Sequence, residues 1–192
     1  MRWHSRTTGY LAIGALLLTA GGMVAQAQTK YNFGQSATQA QIDAWNLDVF
    51  PDGRNLPSGQ GSVLDGKQIY EARCASCHGN EGQGDYADRL AGGIGSLASS
   101  KAARTVGSYW PYATTLFDYI RRAMPLDAPQ SLSDSEVYAV SGYVLYLNGL
   151  VPEDATVSAE TLTSLKMPNR DGFVFDTRPD VKTSTCTQNC SE

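Results

Sequence analysis

The sequence predicts an all-α domain with an extension at each end, and three observations carry that prediction. From Ser133 the chain shows a capping box with Glu136, then Val137, Val140, Tyr143, Val144 and Leu147 along one broad apolar helix face, then Gly149 as a stop. Upstream, Val63, Ile69 and Tyr70 have helical spacing around Gly66, where the missing side chain lets another helix approach. No alternating stretch long enough for a useful strand interrupts this pattern.

In order along the 192 residues, the first segment is 1–27. Arg2 and Arg6 open it, an apolar run follows from Tyr10 to Thr19, and Ala25-Gln26-Ala27 offers a small-x-small cleavage pattern, which reads as a secretory signal. The apolar run falls short of the roughly 20 residues that span a bilayer, so the expectation is a cleaved segment and a periplasmic chain with no membrane span once mature. Cleavage would remove two of the 15 Lys and Arg and none of the 19 Asp and Glu, leaving 13 against 19, or −6. That sign argues against nucleic acid and suits either a basic docking partner or plain solubility. Residues 28–61 form a polar leader with a helix expected over 38–45, which Trp45 and Phe50 would pin to the domain. The core domain is expected over 62–150, with a further helix over 113–123, and 151–192 is the second extension.

The chemistry concentrates in Cys74-Ala75-Ser76-Cys77-His78. Two residues between the cysteines match the separation of the two porphyrin vinyl groups, and the histidine that follows sets its ring under the iron, so the pattern reads as a haem c attachment site. A zinc site would want a fourth ligand, and a redox pair would want a strand before the motif. The glycines of Gly79-Asn80-Glu81-Gly82-Gln83-Gly84 suit a tight loop after the histidine. One motif implies one haem.

Histidine scarcity selects the second iron ligand. The chain has two histidines, and His4 leaves with the signal segment, so methionine is the expected distal ligand. Met1 and Met23 leave too, which reduces the choice to Met124 and Met167. Met124 follows the 113–123 helix and precedes Pro125, which ends it and exposes the side chain on a constrained loop; core packing is its plainer role. Met167 lies in what reads as a surface tail. Trp110 and Tyr112, in an aromatic cluster over 105–112, suit either a haem wall or ordinary core packing. Arg121 and Arg122 would pair with haem propionates or face water. Cys186 and Cys190 lack a following histidine, which favours a local disulfide over a second haem; a bond to a partner is the other reading.

The order of helix, haem motif, methionine loop and capped helix resembles the class I cytochrome c fold over 62–150. The resemblance narrows with Ala44-Trp45-Asn46-Leu47-Asp48-Val49, Pro51-Asp52-Gly53, the stretch 105–125 and Met167-Pro168-Asn169-Arg170-Asp171-Gly172-Phe173, which are similar to the SoxD family of sulfane dehydrogenase cytochrome subunits. It implies a chain that accepts electrons from a molybdenum-containing, SoxC-like subunit in periplasmic thiosulfate oxidation and passes them to an acceptor cytochrome c. It also implies haem roles for Cys74, Cys77, His78 and Met124, and no catalysis by the chain itself. The longest family members carry a second haem domain, which has no counterpart in this sequence. The alternative function is a free electron shuttle between a periplasmic dehydrogenase and a terminal oxidase.

Overall fold

The computed structural model describes residues 34–177, and the unit from Thr38 onward carries the elements below. The expected signal segment and the pair Cys186 and Cys190 lie outside the described residues. In chain order the elements are α1 (Gln39–Trp45), β1 (Gln60–Ser62), α2 (Val63–Arg73), α3 (Ala75–His78), α4 (Val106–Tyr109), α5 (Ala113–Ala123), α6 (Asp134–Leu147), β2 (Thr156–Ser158) and α7 (Ala159–Ser164).

Local capping chemistry sets most of the helix starts. Ser62 Oγ accepts the Asp65 amide at 3.0 Å, and Ser133 with Glu136 forms the reciprocal box expected from sequence. Thr38 does the same with Gln41 at α1. At the end of α6, Gly149 has φ +69; its amide reaches the Tyr146 carbonyl at 2.8 Å and the Leu150 amide reaches the Leu145 carbonyl at 3.0 Å. That pair of bonds is a Schellman stop, and it needs the left-handed conformation that glycine adopts without strain.

Helix α6 is the centre of the fold. Every residue from Val137 to Leu145 is buried, where the sequence suggested a single apolar face. The difference arises because α6 is covered from several sides. Against α2 the two backbones nearly touch: a Cβ on Gly66 would overlap the Ala139 carbonyl, and the Tyr70 and Tyr143 rings pack 5.2 Å apart beside this crossing. Against α5, the Phe117 and Tyr138 rings lie 4.4 Å apart. The remaining side is closed by β1 and β2, which pair antiparallel with Gly61 opposite Val157. A Cβ on Gly142 would come 2.9 Å from Val157 Cγ2, so the strand lies directly on the helix. Strands of three residues are too short for alternation to announce them in sequence.

Both extensions therefore enter the core. Val157, Leu162 and Met167 are fully buried, each side chain contributing roughly 1.5–3 kcal/mol by removal from water. Met167, expected on a surface tail, is 1% exposed. In the leader, Trp45 is 87% exposed and lies outside the core cluster of the described residues. The anchor is Val49 instead, whose amide donates to the buried Asp118 carboxylate of α5 at 2.8 Å. Tyr138 Oη adds a bond to the Pro57 carbonyl at 2.7 Å.

Candidate functional site

The motif sits where α2 ends. The Cys74 amide still donates to the Tyr70 carbonyl at 2.8 Å, and Cys74 then breaks the helix with φ −124 and ψ −36. One further turn, α3, brings Cys77 and His78 round, with both amides bonded to the Cys74 carbonyl at 3.1 and 3.0 Å. Two cysteines and a histidine are thus presented from a single turn. The Cys77 thiol is exposed, Cys74 and His78 are half-buried, and neither cysteine is disulfide-bonded.

The histidine is fixed by its surroundings. His78 Nδ1 lies 2.8 Å from the Asp88 carbonyl oxygen, which can only accept, so Nδ1 carries the proton and Nε2 keeps its lone pair. A ligating imidazole is held in this way, its second nitrogen donating to a carbonyl that orients the ring and raises its basicity. The loop that supplies Asp88 is pinned in turn. The carbonyls of Cys77, His78 and Gly82 accept the amides of Ala87, Gly84 and Leu90 at 2.9, 2.8 and 2.8 Å. Gly79 (φ +77) opens the loop, and Tyr70 Oη donates to its carbonyl at 2.8 Å. At the far side, buried Asn148 accepts from the Gly92 amide at 3.1 Å and donates to the Leu90 carbonyl at 3.1 Å. A Cβ on Gly107 would overlap the Asn148 amide group, so α4 closes on the same residue.

This arrangement suits a covalently attached haem better than its rivals. Burial pushes the Cys74 thiol up to about 11, against a smaller pull from Arg73. A redox pair needs a low-pKa thiolate as its nucleophile, and this environment works against one. Among the described residues no three His, Cys, Asp or Glu side chains converge as metal ligands. Two unbonded thiols with an imidazole of fixed tautomer are the donor set that thioether attachment and axial ligation require.

The other candidates are dispersed around α5. Met124 is its C-cap, in extended conformation (φ −119, ψ 147) and half-buried against the core. Trp110 precedes α5, half-buried, with its ring edge-on to Tyr119 at 5.8 Å. Tyr112 is the N-cap of α5 and lies beneath the Arg170 guanidinium, 4.0 Å from the ring centroid. Arg121 and Arg122 are engaged within the protein: Arg121 pairs with Asp134 at 3.0 Å, and Arg122 with Asp118 and with Asp48. Sequence reading missed Asp88, which acts through a backbone atom and leaves no residue signal, and Asn148, which before Gly149 reads only as a helix end. A separate cavity of about 520 Å³, bounded by Lys67, Arg89, Tyr143, Tyr146 and Glu153, includes none of the motif residues.

A helical domain that closes around such a turn defines an electron-transfer cytochrome of the c type, and comparison with known proteins agrees. A family model described as Cytochrome c matches residues 63–148. The crystal structure of the sulfane dehydrogenase SoxCD from Paracoccus pantotrophus contains a similar chain, with TM-score 0.72 and 39% identity, covering 85% of this chain and 83% of that one. Thiosulfate dehydrogenase from Stutzerimonas stutzeri is 34% identical over 46% of this chain, and that from Allochromatium vinosum 35% identical over 54%. The chain spans only 28% and 34% of the length of those two relatives. It belongs to the cytochrome c family, as a SoxD-like cytochrome with covalently bound haem c.

Proposed function

We propose that the chain carries one haem c on Cys74 and Cys77, with His78 and Met124 on the iron, and serves as the cytochrome subunit of a molybdenum-dependent sulfane or sulfite dehydrogenase in thiosulfate oxidation. Export through the 1–27 segment would put it in the periplasm, between a SoxC-like donor subunit and an acceptor cytochrome c. The observation that carries this reading is the extent of the SoxCD likeness. It takes in 85% of the chain, whereas the general family match stops at residue 148, so it must include extension residues that a generic cytochrome lacks.

When bound, haem c supplies one-electron exchange between ferrous and ferric iron. The chain's own residues hold it and set its potential. Cys74 and Cys77 would hold the ring through thioethers, each thiol S–H adding across a porphyrin vinyl group, and the bond from His78 Nδ1 to the Asp88 carbonyl orients the imidazole that would bind the iron. Met124 is favoured over Met167 because it is half-buried at a helix end, while the side chain of Met167 is already enclosed by core. A thioether ligand raises the potential relative to a second histidine, which suits delivery toward an oxidase. Trp110 fits a place on the haem wall better than Tyr112, whose ring is taken by Arg170.

A subunit role is favoured over a free shuttle by the apolar side chains left outside. Trp45 is 87% and Phe175 97% exposed, and neither belongs to the core cluster. Purification of the native mature protein tests this. Recovery with a molybdenum-containing subunit that reduces the haem on addition of a sulfane donor is expected. Recovery of the cytochrome alone, reduced only by other small carriers, would overturn it.

A further inference from the structure

The tail segment 167–173 is held against the chain on both sides of Trp110. Asn169 Nδ2 donates to the Tyr109 carbonyl at 2.7 Å, and Arg170 Nη1 donates to the Pro111 carbonyl at 3.4 Å. These are the carbonyls immediately before and after Trp110. The Tyr109 carbonyl belongs to the last turn of the four-residue α4, so it has no helical partner further along; Asn169 supplies one. Trp110 and Tyr112 are both extended, the first ending α4 and the second starting α5, so this connection has no helical ladder of its own. Arg170 also lies over the Tyr112 ring at 4.0 Å, and Phe173 meets Tyr109 edge-on at 5.2 Å.

The clamp is itself anchored. Met167 is buried in the core immediately before it, and the Gly172 amide donates to the Asn169 backbone carbonyl at 3.1 Å. A Cβ on Gly172 would overlap the Asn169 side-chain oxygen, so glycine there leaves room for the amide to reach Tyr109.

We infer that Asn169 and Arg170 are positioning residues for Trp110, setting through its two flanking carbonyls the face that Trp110 presents to the haem. This rests on the placement of Trp110 at the haem wall. The tail thereby couples an extension outside the family match to the electronic environment of the iron.

The test uses the holoprotein with three readouts: Soret circular dichroism, midpoint potential and thermal melting. Trp110→Phe alone addresses the placement, and it should change the Soret signal and shift the potential. Asn169→Leu keeps the side chain's size and loses the donor, and Arg170→Ala loses both the donor and the ring contact. Each should change Soret signal and potential in the same direction as Trp110→Phe. Each should add nothing when combined with it, since coupled residues are non-additive. Arg170→Lys, which keeps a donor, should restore most of the wild-type signal. If Trp110→Phe acts but Asn169→Leu and Arg170→Ala only lower the melting temperature, the inference is overturned and the haem-wall placement stands. If Trp110→Phe leaves the haem signals unchanged, the placement fails and takes the inference with it.

Discussion

His78 Nδ1 donates to the carbonyl oxygen of Asp88, 2.8 Å away and ten residues along the chain. The partner is a backbone atom, so the bond depends on the shape of the 79–92 loop and not on the aspartate side chain. Asp88→Ala should leave the spectrum and stability within about 0.5 kcal/mol of wild type, as surface substitutions do. Gly79→Ala should cost more: its φ is +77, and a Cβ there would overlap the Gln83 side chain. Denaturant melts of the two holoprotein variants compare them directly, and a silent Gly79→Ala would show that the loop does not govern the imidazole.

The crossing of α2 and α6 should be equally intolerant. Gly66→Ala drives a methyl group into the Ala139 carbonyl, and overpacking at a close-packed contact costs typically about 1–3 kcal/mol. Urea unfolding should show a lower midpoint with an unchanged slope.

Met124 and Met167 should separate by readout. Met124→Leu should abolish the near-infrared charge-transfer band of methionine-ligated ferric haem and open the iron to cyanide. Met167→Leu, nearly conserving volume, should keep that band and cost under about 1.5 kcal/mol, whereas Met167→Ala should cost about 2–5 kcal/mol through the cavity it leaves. Loss of the band in Met167→Leu with retention in Met124→Leu would reverse the assignment.

The cap of α6 carries a pH dependence. The Ser133 hydroxyl and amide bonded to Glu136 hold its carboxyl below the ordinary value of 4.5. A depressed carboxylate stabilises the fold when ionised. Its contribution is complete above about pH 4.5 and disappears as the pH falls through the lower folded-state value. Ser133→Ala should flatten this part of the acid-stability profile, measured by thermal melts at stepped pH.

Interface residues require point changes. Truncation after Leu150 would remove Val157, Leu162 and Met167 from the core and so damage the fold itself. Trp45→Ser and Phe175→Ser, at exposed positions, should leave melting and spectrum unchanged while weakening recovery of the molybdenum subunit. Unchanged recovery in the double variant would count against these residues as contacts.

The parts of this protein legible in sequence are those written in local chemistry. The capping box at Ser133, the span of α5 and the left-handed glycines after His78 depend on neighbours within a few residues. Each appears in the structure as read. The family resemblance lay in the same local words. What tertiary structure alone decided is which side chains those elements bring together. Periodicity shows that α6 has an apolar face; only the pairing of β1 with β2, about a hundred residues apart, shows that it is covered on the opposite side as well. The core place of Met167, the exposure of Trp45 and the choice of the Asp88 carbonyl follow from the same physics. Burial and backbone hydrogen bonding are properties of long-range packing, and a residue's identity records them only when its side chain is the group that makes the contact.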